Sequence, residues 1–559
     1  MGSRANVLRG TYARTLETSR TAWTLLRVRG PGQVQFWFIA LLLGIAAGFA
    51  ALGFRLAIFE LQSLLYGTDD PSRLGTFAAS LPWWWVLVLP VLGGLAVGLI
   101  LHRFTPDGRV RSVADVIEGC ALREGRVEKR AGLASAAASL ITLSSGGSTG
   151  REGPVVHLAA VISAWVSNLI RAQGVTARDL LGCATAAAVS ASFNAPIAGA
   201  LFALEVVLRH FAVHAFAPIA IASVAGAVVA RTFFGEQYEF DLGGQGVLQF
   251  YAELPAYMLL GLLSGLVAVV MMRSIFWADD AGDAVQRVLR MPRWLRPAFA
   301  GLALGALAIP FPHIIGVGYE TTFNALLGNY FLWQAVVFVA VKVAAVAITM
   351  AGRMGGGVFS PSLMVGALLG LAFGIVATSI FPDQSGSETL YALAGMGAVA
   401  AAVLGAPIST TLIVFELTGD WQTGLAVMVT VSLATAVASR LVDRSFFLTQ
   451  LERKGVHLAA GPQAYLLSLA TARALMRPLG HPQGASEDAL HEMIERGVWL
   501  RPDATLETAM PLFERFGRFL PIAEPQADGP PEPIGALFQI DALISYNRAL
   551  AATAAEEHS

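Results

Sequence analysis

Ser144-Ser145-Gly146-Gly147-Ser148-Thr149-Gly150-Arg151-Glu152-Gly153-Pro154 is a run of small residues that ends in a charged pair and opens an apolar segment, Val155 to Ile170. Glycines let backbone approach closely, and Gly153-Pro154 predicts a helix start with proline near the first helical position. The N–H groups at such a start have no carbonyl partner, so an anion is their natural occupant. If this start lies inside a membrane, Glu152 is an ionisable group where one is expensive, which makes it a functional candidate. The alternative reading is a buried loop between two helices.

The composition puts the stretch in a membrane. Of 559 residues, 55% are hydrophobic and 14% charged, against about a quarter charged in soluble domains, and the mean hydropathy is +0.61. Runs long enough to span a bilayer lie at Phe36–Phe54, Leu81–Leu101, Tyr257–Met272, Leu332–Ile348, Leu363–Phe381 and Thr423–Leu441. Val155–Ile170, Leu181–Ser192 and Tyr391–Val403 read as too short for a comfortable span. Broken helices are tolerated at membrane depth only where they line a cavity or pack inside protein. The expected fold class is therefore an all-α polytopic membrane protein over residues 33–441, built around a transport pathway. Ahead of it, Arg4, Arg9, Arg14, Arg20, Arg27 and Arg29 face only Glu17, so residues 1–32 read as a basic cytoplasmic helix with no signal peptide. The net charge of −1 is silent about partners, and Cys120 and Cys183 read as packed thiols, not a disulfide or metal site.

An internal repeat sharpens this. Ala195-Pro196-Ile197 is followed by Glu205 at the spacing at which Ala406-Pro407-Ile408 is followed by Glu416. Upstream, Gly150 to Pro154 and Gly357-Val358-Phe359-Ser360-Pro361 share the form Gly-x-x-x-Pro, and both pairs are offset by about two hundred residues. Two halves with interrupted helices in matching positions point to a binding site at the midplane.

With these pieces in order the chain resembles the chloride channel and proton/chloride antiporter (CLC) family. The resemblance rests on Gly146–Pro154, Ser192–Glu205, Gly356–Pro361 and Gly405–Glu416. It implies two inverted-topology halves, a homodimer in the inner membrane with one anion pathway per subunit, and helix N-termini aimed at the anion. It makes Glu152 the gate and the backbone N–H groups of Gly153, Val358 and Phe359 anion donors, with no cofactor beyond the anion itself.

Three positions depart from the family pattern. The stretch Val110-Arg111-Ser112-Val113-Ala114-Asp115 aligns with the first pathway motif but has lost its glycines and proline, and Arg111 stands where a hydroxyl is usual. The pathway tyrosine is replaced by Phe447, or by Phe446 if the register slips by one. The proton-transfer glutamate of the antiporters is replaced by Val206, as in channel members. Arg111 leaves three readings open: a planar fork selecting a planar oxyanion such as bicarbonate or nitrate, a charge replacing lost hydroxyls while chloride is carried, or a side chain turned away to Asp115 or Glu118. His157 is either a proton relay or a histidine hydrogen-bonded in place, and Glu205 and Glu416 read as caps of backbone.

Beyond a linker at 442–465, residues 466–552 read as a small cytoplasmic α/β module that looks like an incomplete CBS domain, with strands at Phe519–Ala523 and Ile534–Phe538 and a closing helix Ile540–Ala551, followed by a disordered tail at 553–559. Thr505 reads as the cap of a helix from Leu506. Phe538, three before Asp541, takes the place of the usual Ser or Thr, so a dimer-stabilising role is favoured over nucleotide binding. His491-Glu492-Met493-Ile494-Glu495 lacks the second histidine of a zinc-protease helix. The expected function is passive, channel-like anion flux gated by Glu152. Proton-coupled or oxyanion-selective transport is the alternative, a nucleotide-sensing membrane protein or intramembrane enzyme a more distant one. No nucleic-acid partner is expected.

Overall fold

A computed structural model describes residues 31–559 apart from 69, 173, 236–249, 383–384, 386, 419–420, 457, 459–465, 526–530 and 559. The expected N-terminal helix thus lies outside the described residues. The chain divides into a membrane unit, running to Leu208 and again over Ala215–Arg453, and a second unit of Arg209–His214 and Lys454–Ser559.

The membrane unit is all helix. Its elements are α1 (Gln33–Tyr66), α2 (Leu74–Ser80), α3 (Trp83–Phe104), α4 (Val113–Leu122), α5 (Lys129–Ser144), α6 (Glu152–Ile170), α7 (Gly174–Phe193), α8 (Pro196–Phe202) with a π turn at Ala203–Leu208, α9 (Val213–Phe234), α10 (Phe250–Val288), α11 (Arg296–Ala308), α12 (Tyr319–Leu326), α13 (Leu332–Ala351), α14 (Phe359–Ile380), α15 (Glu388–Leu404), α16 (Pro407–Thr418), α17 (Trp421–Leu441) and α18 (Phe446–Arg453). Eight described helices are long and apolar enough to cross a membrane. They include α9, which is as apolar as the other spans. They also include α6, whose 19 residues reach about 28 Å at 1.5 Å per residue, so the expectation of a short Val155–Ile170 segment is corrected. The stretch expected as a linker holds α18, which belongs with the membrane unit.

Helix α1 crosses from a near face to a far face, and α3 returns, so Arg109 to Arg123 lie at the near face. Small residues let helices meet backbone to backbone, the usual device where lipid removes the hydrophobic incentive to associate. On the α14–α15 contact, a Cβ at Gly370 would lie 2.1 Å from the Tyr391 carbonyl oxygen. At the near face Asp283 gathers three arginines: Arg296 in a short contact, Arg353 at 2.7 Å and Arg109 at 3.9 Å.

The repeat is visible as pairing. Gly150 and Gly357 form an antiparallel bridge, N–H to carbonyl at 2.7 and 2.8 Å in the two directions. Further along the repeat the acidic residues cap each other's copies. The Glu205 carboxylate accepts from Ile408 N at 3.0 Å and Ser409 N at 2.8 Å at the start of α16. The Glu416 carboxylate accepts from Ile197 N at 3.0 Å and Ala198 N at 2.7 Å at the start of α8.

In the second unit β1 (Arg477–Pro478), β2 (Phe519–Glu524) and β3 (Glu532–Phe538) form an antiparallel sheet in the order β1-β3-β2. Helices Glu487–Glu495, Leu506–Phe516 and Gln539–His558 accompany it, over a core that includes Leu500, Leu506, Phe513, Leu520 and Leu537. This arrangement is consistent with a CBS-like module. Thr505 precedes Leu506–Phe516 as expected, but its side chain makes no cap hydrogen bond. The last helix runs through Ala551 to His558, correcting the expected disordered tail, since Ala551 to Ala555 are mostly strong helix formers without a breaker. Cys120 and Cys183 are both buried and form no disulfide.

Candidate anion pathway

Four helix starts converge. The small-residue run ends α5 in a tight turn, where Gly147 N donates to the Thr142 carbonyl at 2.8 Å, and the Gly150–Gly357 bridge then sets the starts of α6 and α14 side by side. Gly356 has φ +136°, and a Cβ there would lie 2.1 Å from Thr149 Oγ1, so the approach requires glycine. Helix α4 starts at Ser112, whose N–H donates to Asp115 Oδ2 at 2.8 Å. Helix α18 brings Phe446 and Phe447. Ser112, Glu152, Gly153, Val358, Phe359 and Phe447 all line one cavity of about 20 Å³, roughly the room of a single water-sized guest. The helix dipoles all present their positive ends there.

Arg111 does not line this cavity, which corrects its expected place as an anion ligand. Its Nη1 lies 2.8 Å from Asp107 Oδ2 and 4.0 Å from Asp115, and its Nη2 lies 2.9 Å from Glu128 Oε2, while its backbone N–H donates to Ser135 Oγ at 2.8 Å. Burial pushes the Asp107 carboxyl up, but the Arg111 hydrogen bond and charge outweigh it and hold it below the usual range. The turned-away reading comes nearest, although Glu118 pairs with Arg123 instead, at 2.6 Å. The neighbouring Ser112 lines the cavity instead.

The Glu152 carboxylate is buried in the wall of this cavity, and two of its neighbours, Arg151 and Tyr319, line a larger one. The larger, of about 830 Å³, opens among far-face residues that include Arg55, Arg73, Arg151, His313 and Tyr319. Glu152 Oε1 accepts from Ser360 Oγ at 2.5 Å and from the Tyr319 hydroxyl at 3.4 Å, with Arg151 Nε at 3.9 Å. Oε2 is pressed against Gly150, where a Cβ would approach to 2.6 Å. Arg151 is itself held: it donates to the Ser192 carbonyl at 3.1 Å and lies 4.8 Å over the Tyr319 ring. Tyr319 opens α12 after a loop tied down by the fully buried Lys342, whose Nζ donates to the carbonyls of Ile314 at 3.2 Å and Gly316 at 3.3 Å. Ser360 and Tyr319 were missed in the sequence; Ser360 could have been found, because it sits inside the quoted Gly-x-x-x-Pro motif.

Val206 lies buried in the π turn beside Glu205 and lines neither cavity. His157 is buried on α6, with room for its ring provided by Gly132, where a Cβ would come within 2.7 Å of Cε1. No cluster of metal-ligating side chains occurs among the described residues.

Residues 93–439 match the family described as "Voltage gated chloride channel". The chain is 35% identical over 395 residues to a putative chloride channel protein ClcB-like of Ralstonia nicotianae, covering 70% of this chain and 90% of that protein. It is 30% identical over 419 residues to the voltage-gated ClC-type chloride channel ClcB of Escherichia coli, covering 73% of this chain and 97% of that protein. In fold it is similar to a slow cyanobacterial Cl⁻/H⁺ antiporter, with TM-score 0.67 and 21% identity over 76% of this chain and 98% of that one. A CLC-type fluoride/proton antiporter is similar at TM-score 0.59 and 19% identity, over 72% of this chain and 95% of that one. The chain belongs to the voltage-gated chloride channel (CLC) family and is a multi-pass membrane protein.

Proposed function

We propose that this CLC-family chain conducts small anions, chloride first among them, passively between the two cavities, with Glu152 as the gate. The observation that carries the reading is the buried Glu152 carboxylate, standing where the positive ends of α4, α6, α14 and α18 meet. A carboxylate there competes with an anion for the same donors, and a proton removes the competition. Relatives named as chloride channels support chloride. The oxyanion alternative depended on Arg111, which Asp107 and Glu128 already engage. Val206 supports passive flux, because an apolar side chain cannot pass protons toward Glu152 from the near face. The basic residues ahead of α1 make the near face cytoplasmic, in an inner membrane, and the family resemblance makes the working unit a homodimer.

The second unit serves this assembly without a nucleotide. Arg477 already grips the Asp541 carboxylate through Nε at 2.7 Å and Nη2 at 3.1 Å, and covers the Phe538 ring at 4.4 Å. A thermal shift of the full-length protein with ATP or AMP would overturn this role.

The deciding test is anion flux from liposomes with internal pH recorded. Wild type should pass chloride faster as the external pH falls, and Glu152→Ala should pass it at a rate independent of pH. Protons carried uphill by a chloride gradient would replace passive flux with exchange.

A further inference from the structure

We infer that Gln450 is an anion ligand that stands in for the hydroxyl lost at Phe447. The inference rests on the reading of the small cavity as the anion's station. Gln450 follows Phe447 by three positions on α18, so the two side chains share a helix face, and both line the cavity of about 20 Å³. Most of the remaining wall is apolar, formed by side chains such as Phe193, Phe202, Val156 and Met350. The other side-chain hydroxyl present, that of Ser112, is drawn toward Asp115 Oδ2 at 3.4 Å.

Gln450 Oε1 is buried and accepts no hydrogen bond from any described residue. Buried polar atoms nearly always have partners, so an unpaired amide oxygen buried at the wall of a small cavity marks a side chain that a ligand can satisfy. Half a turn about its last bond exchanges the carbonyl for the NH₂ group, and the two orientations are equivalent in shape. Turned in this way, the amide offers a donor to an anion held against the first N–H groups of α6 and α14.

The placement has a consequence for selectivity. An apolar wall returns little of an anion's hydration, a deficit that weighs most on small, strongly hydrated ions. An amide donor restores part of it, so Gln450 holds chloride against more weakly hydrated anions such as nitrate.

Chloride titration calorimetry on the full-length protein in detergent, paired with chloride and nitrate flux from liposomes, tests this. Gln450→Leu should weaken chloride binding about tenfold, the equivalent of one charge-assisted hydrogen bond, and raise the nitrate-to-chloride flux ratio. Gln450→Glu, nearly the same shape, should lose chloride binding at neutral pH and regain it on acidification, as the new carboxylate takes up a proton. A residue that only packs would alter melting temperature without that pH-dependent recovery. If Gln450→Leu does not fold, Gln450→Glu decides alone. Chloride affinity and flux ratio equal to wild type in the folded variants would overturn the assignment and leave the channel reading intact. A wild-type protein that neither binds nor moves any anion would overturn both.

Discussion

The two Gly-x-x-x-Pro copies share a backbone and divide the work. In Gly150–Pro154 the variable positions are Arg151, Glu152 and Gly153; in Gly357–Pro361 they are Val358, Phe359 and Ser360. The first copy contributes the charge and the second the apolar wall, together with the hydroxyl that holds the charge in place at 2.5 Å. Where the copies agree, as at Gly150 and Gly357 or Glu205 and Glu416, both residues build scaffold. Where they differ, they line the cavity or position the gate. Identity between halves therefore marks support, and divergence marks function.

The largest expected effect is at the contact between the copies, where Gly356 meets Thr149. Gly356→Ala places a methyl 2.1 Å from Thr149 Oγ1 at a φ of +136°, combining a clash with a backbone strained by any side chain. The expected outcome is loss of folded, detergent-stable protein by size-exclusion chromatography. A well-folded Gly356→Ala would mean the two copies can part without cost.

Much of this scaffold was legible in the sequence, because glycine, proline and capping carboxylates act through the backbone at fixed spacing. Ser112, Glu152, Gly153, Val358, Phe359 and Phe447 could be named from motifs and do share one cavity. What was not legible depends on side chains meeting from distant segments. Arg111 turns to Asp107, four positions back, and to Glu128, further along the chain, a choice its own motif does not announce. Tyr319 lies 167 positions from the glutamate it touches. Gln450 falls in the stretch read as a linker, and only the structure sets it on a helix beside Phe447 at the cavity wall. Helix α9 was as legible as the other spans, being equally apolar, although it is not among the expected runs.

The next effect in size compares the reciprocal caps. Glu205 accepts a third hydrogen bond, from Ser409 Oγ at 2.7 Å, whereas among the described residues Glu416 accepts only from Ile197 N and Ala198 N. Glu205→Ala should therefore destabilise by about 2–3 kcal/mol and Glu416→Ala by about 2 kcal/mol, as charged acceptors lost from helix starts. Thermal melting of both variants measures the pair. A larger loss for Glu416→Ala would break the inferred ranking. Smaller still, and confined to function, Ser360→Ala should leave stability nearly unchanged and raise chloride flux at neutral pH severalfold, because the gate carboxylate loses its shortest tether. Flux identical to wild type would mean that Tyr319 and Arg151 suffice to hold Glu152.

The smallest expected effect lies in the far-face cavity and distinguishes its lining from the gate. His313 sits outside the spans, stacked on Phe338 with ring centroids 3.6 Å apart. Burial, and secondarily the charge of Lys342, pushes its pKa down to about 3, whereas an unfolded histidine titrates near 6.5. Between those values the unfolded chain binds the proton and the folded chain does not, so stability rises with pH across the window and falls as pH drops from about 6.5 toward 3. His313→Phe keeps an aromatic ring against Phe338 but has nothing to protonate. The variant should melt within a few degrees of wild type at pH 7.5 and lose less of its melting temperature on transfer to pH 5. Its acid-stimulated chloride flux should remain, because that response belongs to Glu152. If His313→Phe instead abolished acid stimulation, the proton sensor would lie in the far-face cavity and the gate would have to be reassigned to the wall that His313 helps to build.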